Sequence, residues 1–243
     1  MKKGLVLILV AVILAASFVM VANILSDTAI SIKNKGYVTV KGFAKQQIKS
    51  DLGILETAII VEDPDLKKCY SMLSENKKKV EDFLKNRYSI KEEELEFSPA
   101  MIQEEYKINE RGYRTDKFIK FLLAQEIKIE SNDVEKIEKI SANLVDLFNE
   151  GVKIRIRDPK YIYTKLDDLK VEMIGRATNN ARQRAMKIAK EGKFRLGPIA
   201  SVRVGVFQIT PVHSTKVSDY GINDTSSIDK EIKSVVEIKY FVK

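Results

Sequence analysis

One cysteine and one histidine stand in a chain of 243 residues. These shortages exclude several kinds of chemistry. Cys69 alone cannot close an intrachain disulfide, and its place at a helical apolar position suits a small buried hydrophobe. One Cys and one His fall short of a zinc site of the usual composition. His213 follows Pro211 in a loop with no nucleophile-elbow motif nearby, so a serine triad has no recognisable base. No Cys–His pair occurs at close spacing. Neither G-x-x-x-x-G-K nor G-x-G-x-x-G occurs, so no phosphate-cradling loop is evident. No Gly/Ser-rich or Pro-rich linker divides the chain. Aromatic residues make up 8% and the net charge of +8 is interspersed with acids. That pattern fits a solvated mixed-charge surface, and no nucleic acid is expected as a partner.

One long apolar run is present. Residues 5–25, LVLILVAVILAASFVMVANIL, carry no charge and follow Lys2-Lys3. A helix of that length spans about 30 Å, the hydrocarbon thickness of a bilayer. The run exceeds the apolar stretch of a secretory signal, so an uncleaved signal-anchor over residues 1–26 is expected. A cleaved signal ending near Ala22, with a soluble periplasmic product, is the alternative. The lysines favour the cytoplasmic side. The body, residues 27–243, then lies outside the inner membrane behind a single span that contacts the lipid bilayer through residues 5–25.

The body reads as α+β. Val38 and Val40, then Leu55, Thr57, Ile59 and Val61, recur at the strand period and predict a hairpin of Tyr37–Lys49 and Leu52–Glu62. Asp63-Pro64-Asp65 opens a helix that carries Leu66, Cys69, Tyr70, Leu73, Val80, Phe83 and Leu84 to about Arg87. LEFSPAMIQEEYKI and DKFIKFLLAQEIKIES read as strands joined at residues 109–112, the second covered in part on both faces. Asn132-x-x-Glu135 resembles a capping pair for a helix that ends at Gly151. VKIRIRD is a short strand with Lys153, Arg155 and Arg157 on one face and Val152, Ile154 and Ile156 on the other.

A late helix follows, with Val171, Ile174, Ala177, Thr178, Ala181, Ala185, Ile188 and Ala189 on one face and Gly192 as its left-handed end residue. Gly197-Pro198 turns the chain into a strand, IASVRVGVFQI. A polar loop from His213 to Lys233 precedes the closing strand SVVEIKYFVK. The order β-β-α-β-β-α-β-α-β-β predicts a mixed, mostly antiparallel sheet or sheets with helices packed on them.

VTVKGFAKQQIKSD near the start, the helix LKVEMIGRATNNARQRAMKIAKEGKFRLGPIASV and the final strand SVVEIKYFVK resemble the SIMPL domain. This is a bacterial and archaeal family of largely unassigned activity. Its Gly-x-x-Leu-Gly turn is one residue longer here, from Gly192 to Gly197. Ile228-Asp229-Lys230 stands where the family often has Pro-Gly. The resemblance implies an exported, periplasmic or membrane-associated α+β protein that self-assembles, with links to oxidative or envelope stress. It carries no catalytic residues.

Acidic residues cluster at Glu92, Glu93, Glu94, Glu104 and Glu105, as a solvated patch. No catalytic residue, cofactor or metal ligand is assigned, and the expected activity is not enzymatic. The leading expectation is a membrane-anchored structural or interaction protein forming a homo-oligomer. A binding module for anionic envelope polymers or lipids is the alternative, with Lys153, Arg155, Arg157, Arg182, Lys187 and Lys190 as its contacts. An enzyme built from scattered Asp, Glu, Lys and Tyr is the third reading.

Overall fold

The computed structural model of the protein describes residues 13–26 and 36–242. Residues 13–26 are helical and exposed (α1). Residues 1–12, which hold Lys2-Lys3 and the first part of the expected span, lie outside the described residues. Among the described residues no helix is long and apolar enough to cross a membrane. The body divides into two compact units that interleave along the chain. One takes the described residues up to Ala44, Val171–Val206 and the chain from Ser234; the other takes Lys45–Lys170 and Phe207–Lys233.

The second unit is built on a six-stranded sheet. β2 (Leu52–Asp63) is its axis, paired antiparallel with β5 (Arg114–Ser131) from Gly53 opposite Ser131 to Asp63 opposite Phe121. The period-two residues Leu55, Thr57, Ile59 and Val61 are all buried, as the alternation predicts. Helix α2 (Leu66–Tyr88) packs on that face through Cys69, Leu73, Val80, Phe83 and Leu84. Asp65 caps it by accepting the amides of Lys67 and Lys68, and Pro64 stands just ahead of the cap. Helix α3 (Val134–Asn143) packs beside it through Val134, Ile137 and Ile140, then tightens into a 3₁₀ turn over Leu144–Phe148. Gly53 permits the approach of α3, since a Cβ there would lie 2.8 Å from Ile137 Cγ1.

Several local expectations differ from the structure. Tyr37–Lys49 and Leu52–Asp63 are both strands but form no hairpin, because they belong to different sheets. The cap of α3 is Asp133, which accepts the Lys136 amide, and not Asn132. Glu135 is drawn off to pair with Lys49. LEFSPAMIQEEYKI is two strands, β3 (Leu95–Phe97) and β4 (Met101–Ile108), because Ser98-Pro99-Ala100 interrupts the ladder. Only the latter half of β5 is covered; from Arg114 to Ile119 it is largely exposed. VKIRIRD contributes only β6 (Ile154–Arg155), and β7 (Lys160–Ile162) follows; both pair with β2. Val152 and Ile154 are buried, but Ile156 is exposed. The expected polar loop contains β10 (Ile222–Asn223), parallel to β9 (Gln208–Pro211). The last strand, β11 (Asp229–Val242), starts earlier than SVVEIKYFVK and pairs with β9 over Lys230–Lys233.

The first unit packs α4 (Leu166–Glu191) on three strands from Val171 onward. In it β11 lies between β1 (Tyr37–Lys49) and β8 (Leu196–Val204). The buried stripe of α4 is Met173, Ala177, Ala181, Ala185 and Ala189, four residues apart throughout. Val171 and Ile188, expected on that face, are 71% and 44% exposed. The reason is the closeness of the contact. A Cβ on Gly42 of β1 would lie 2.0 Å from the Ala177 carbonyl oxygen and 2.5 Å from the Ala181 nitrogen. A helix lying backbone-to-backbone on a strand covers only a narrow ridge of itself.

Gly192 does not take the left-handed conformation; Lys193 does, at φ 54°. Gly192 instead makes room for the Phe194 ring, whose Cε1 would be 2.7 Å from a Cβ there. Gly197-Pro198 is no turn but part of β8, at an irregularity in its pairing with β11. Gly197 there meets the Phe241 carbonyl oxygen, which a Cβ would approach to 2.8 Å. The strand read as IASVRVGVFQI breaks between Val204 and Gln208 into β8 and β9.

Gly42→Ala is expected to lower the unfolding free energy by about 3 kcal/mol, the upper end for overpacking. Gly175→Ala, on the open side of α4 with no atom near the new Cβ, should raise it by about 0.5–1 kcal/mol. Urea unfolding of the chain measures both, and a neutral Gly42→Ala would contradict the close contact.

Candidate functional site

The face of the six-stranded sheet opposite the helices carries the charge. β2 contributes Glu56 and Glu62 at alternate positions to its buried set, and Glu56 stands opposite Lys128 of β5. Arg155 stands opposite Ala58, and the contacts of Lys153 with Glu62 and of Arg157 with Glu126 set those two on the same open side. There they meet carboxylates. Lys153 lies 2.5 Å from a Glu62 oxygen, and Lys120 takes the other oxygen of the same group. Arg157 bonds Glu126 at 3.0 Å, and Lys160 bonds Glu56 at 3.0 Å. The hydrogen bonds from Lys120 and Lys153 hold the Glu62 carboxyl below the usual carboxylate range. Lys160 does the same to Glu56. The result is a ladder of alternating charge, not a bare basic stripe. A shallow groove of about 240 Å³ runs along it, lined by Glu56, Ser98, Glu126, Lys128 and Arg157 among others.

The six expected anion contacts are divided between the units. Lys153, Arg155 and Arg157 stand in the second; Arg182, Lys187 and Lys190 stand on exposed turns of α4 in the first. Lys187 is paired with Glu191 at 3.6 Å. Among the described residues Arg155, Arg182 and Lys190 have no ion pair.

Most of the remaining sequence candidates are held in structural contacts. Cys69 is buried, and its thiol is pushed above its ordinary pKa by burial. His213 is exposed in a turn at φ 65°. Glu94 accepts the Lys91 amide at 3.0 Å and the Ser131 hydroxyl at 2.5 Å. Glu104 accepts the Tyr106 hydroxyl, and Glu105 lies 3.4 Å from Lys120. Asp224, within the Asn223-Asp224-Thr225 triplet, accepts both the amide and the hydroxyl of Ser226. Among the described residues no three His, Cys, Asp or Glu side chains stand where they could hold a metal ion.

Sequence reasoning missed Lys230. It reads as one more charge at the end of a polar loop, yet it is 2% exposed and its amine donates to the Tyr161 carbonyl at 2.5 Å. The signal was its position two before Ile232 in a strand that begins earlier than SVVEIKYFVK suggests.

Taken together, the chain is an α+β protein of mostly antiparallel sheets with helices packed on them. Residues 38–237 match the SIMPL family, described as a protein of unknown function (DUF541), and the chain belongs to that family. No curated protein matches the chain.

Glu62→Gln is expected to cost about 1 kcal/mol at neutral pH, a figure reduced for the partial exposure of the site. A carboxyl with a depressed folded pKa contributes fully above its unfolded value, about 4.3, and loses that contribution as pH falls through the folded value. The gap between wild type and variant in urea unfolding should therefore narrow as the pH is taken from neutral to well below the unfolded value. An equal gap at both pH values would contradict the bridging role.

Proposed function

We propose that this protein is a membrane-anchored, extracytoplasmic interaction module that assembles with copies of itself through the free edge of β8. The anchor reading is supported by the uncharged run of residues 5–25 behind Lys2-Lys3. The assembly reading is supported above all by the unequal treatment of the two sheet edges in the first unit.

The edge at β1 is closed. Asn180 of α4 accepts the Phe43 amide at 3.1 Å, and Arg184 donates to the Lys41 carbonyl at 3.0 Å. Helix side chains thus take up two of the backbone groups that this edge would present to another chain. The edge at β8 has no such cover among the described residues. It is nine residues long with one charge, Arg203, placed opposite Glu237 of β11. Ile199, Val202 and Val204 are about half exposed, whereas their cross-strand partners Tyr240, Ile238 and Val236 are buried. The apolar face therefore continues past the part of the sheet that α4 covers. A second copy of β8, antiparallel and centred on Val202, sets Val204 against Ala200 and Arg203 against Ser201. No like charges oppose each other in that register.

The alternative reading, an anionic envelope partner, has less support. Lys153, Arg157 and Lys187 already hold carboxylates, and exchanging one anion for another gains little.

Sedimentation velocity on the full chain in mild detergent should give a protein mass that is a multiple of 27.6 kDa. Val202→Lys should reduce it to the single chain with the helical circular dichroism intact. A wild-type monomer at tens of micromolar, or a variant of unchanged mass, would rule out this interface.

A further inference from the structure

The second unit contains a small, partly enclosed cavity of about 110 Å³, with Ile48, Ile162, Leu166 and Ile209 in its wall and Tyr161 and Lys230 among its lining residues. The exposed residues Asn223 and Thr225 also border it, so it adjoins the surface. Lys230 is the unusual member. An ammonium has three donors, and here one of them reaches a protein acceptor, the Tyr161 carbonyl. Among the described residues no carboxylate lies within ion-pair distance of it. Asp224 acts on it only from further off, and one oxygen of Asp224 is itself buried without a hydrogen-bond partner. Burial pushes the Lys230 amine below the ordinary lysine pKa, with Asp224 opposing.

A desolvated lysine in an apolar pocket is the form in which this side chain becomes a nucleophile toward carbonyl groups, because the neutral amine is the attacking species. We propose that Lys230 is a carbonyl-reactive amine and that this cavity takes small apolar aldehydes. The size follows from the volume. A cavity of about 150 Å³ holds a benzene ring, so this one suits a chain of about three carbons. The amine lone pair attacks the carbonyl carbon, and the π electrons pass to oxygen, which takes up a proton. The resulting carbinolamine loses water as the carbon–nitrogen double bond forms. Aldehyde and amine thus become imine and water, and no oxidant or reductant is needed. The isoleucines and Leu166 shelter the alkyl chain. The site lies within one unit and owes nothing to self-assembly or to the membrane anchor.

The competing account makes Lys230 a strut that ties β11 to the Tyr161 carbonyl of β7 and reacts with nothing. Limited propanal with cyanoborohydride at neutral pH, applied to the full chain and mapped by peptide mass spectrometry, separates the two. The proposal expects Lys230 to be alkylated several-fold faster than the exposed Lys190. Phenylacetaldehyde, too bulky for the cavity, should label Lys190 and spare Lys230. Lys230→Arg keeps a donor for Tyr161 and should lose the fast phase alone. If Lys230 stays unmodified by propanal while surface lysines react, or reacts no faster than they do, the proposal fails. Should the arginine variant not fold, the wild-type map decides the matter unaided.

Discussion

The contact of α4 with β1 at Gly42 governs the first unit. Gly42 brings the helix backbone so near that a methyl group has no space between them. Two consequences follow from that distance. From Val171 onward the helix buries only Met173 and four alanines, which is why the sequence there has small residues at every fourth position. Short side chains such as Asn180 can also reach across to the strand's own amide. The same nearness that closes the β1 edge leaves the helix too narrow to shelter β8. The asymmetry of the sheet is thus a product of one glycine and an alanine ridge.

The second unit solves a different problem. Its sheet has one face under α2 and α3 and the other open to water. The open face is made soluble by opposing charges in register across β2, β5 and β6. Glu62 is the centre of that arrangement, since it takes Lys120 and Lys153 at once. Ion pairs on such a surface contribute modestly to stability. They weigh more on function, because a basic side chain already holding a carboxylate offers less to an anionic partner.

Much of this was legible in the sequence, and the failures have physical causes. Leu55, Thr57, Ile59 and Val61 showed their strand face because one side of β2 is fully buried and the other is not. The α2 stripe showed through Cys69, Leu73 and Val80 for the same reason. Val171 and Ile188 misled because apolar character marks a buried helix face only when the contact is broad, and the α4 contact is a ridge. Gly192 and Gly197 misled because glycine serves close approach as well as left-handed turns. Composition does not tell Phe194 packing on a helix end from a turn. The buried lysine escaped notice because its strand starts in a segment rich in Ser and Asp. Only the register with β9, Lys230 opposite Pro211, reveals that the strand has begun. The interleaving of the two units was invisible for a related reason: no linker marks a boundary that the chain crosses more than once.

The central claim is that β8 meets another copy of itself. Hydrogen exchange on the amides of Ile199 to Val204 tests it most directly when followed as a function of protein concentration, with the Val40–Ala44 segment of β1 as an internal reference. The account predicts that β8 amides exchange rapidly in dilute protein and slow as concentration rises, while the β1 segment holds constant. Exchange in β8 that is fast at every concentration would contradict it.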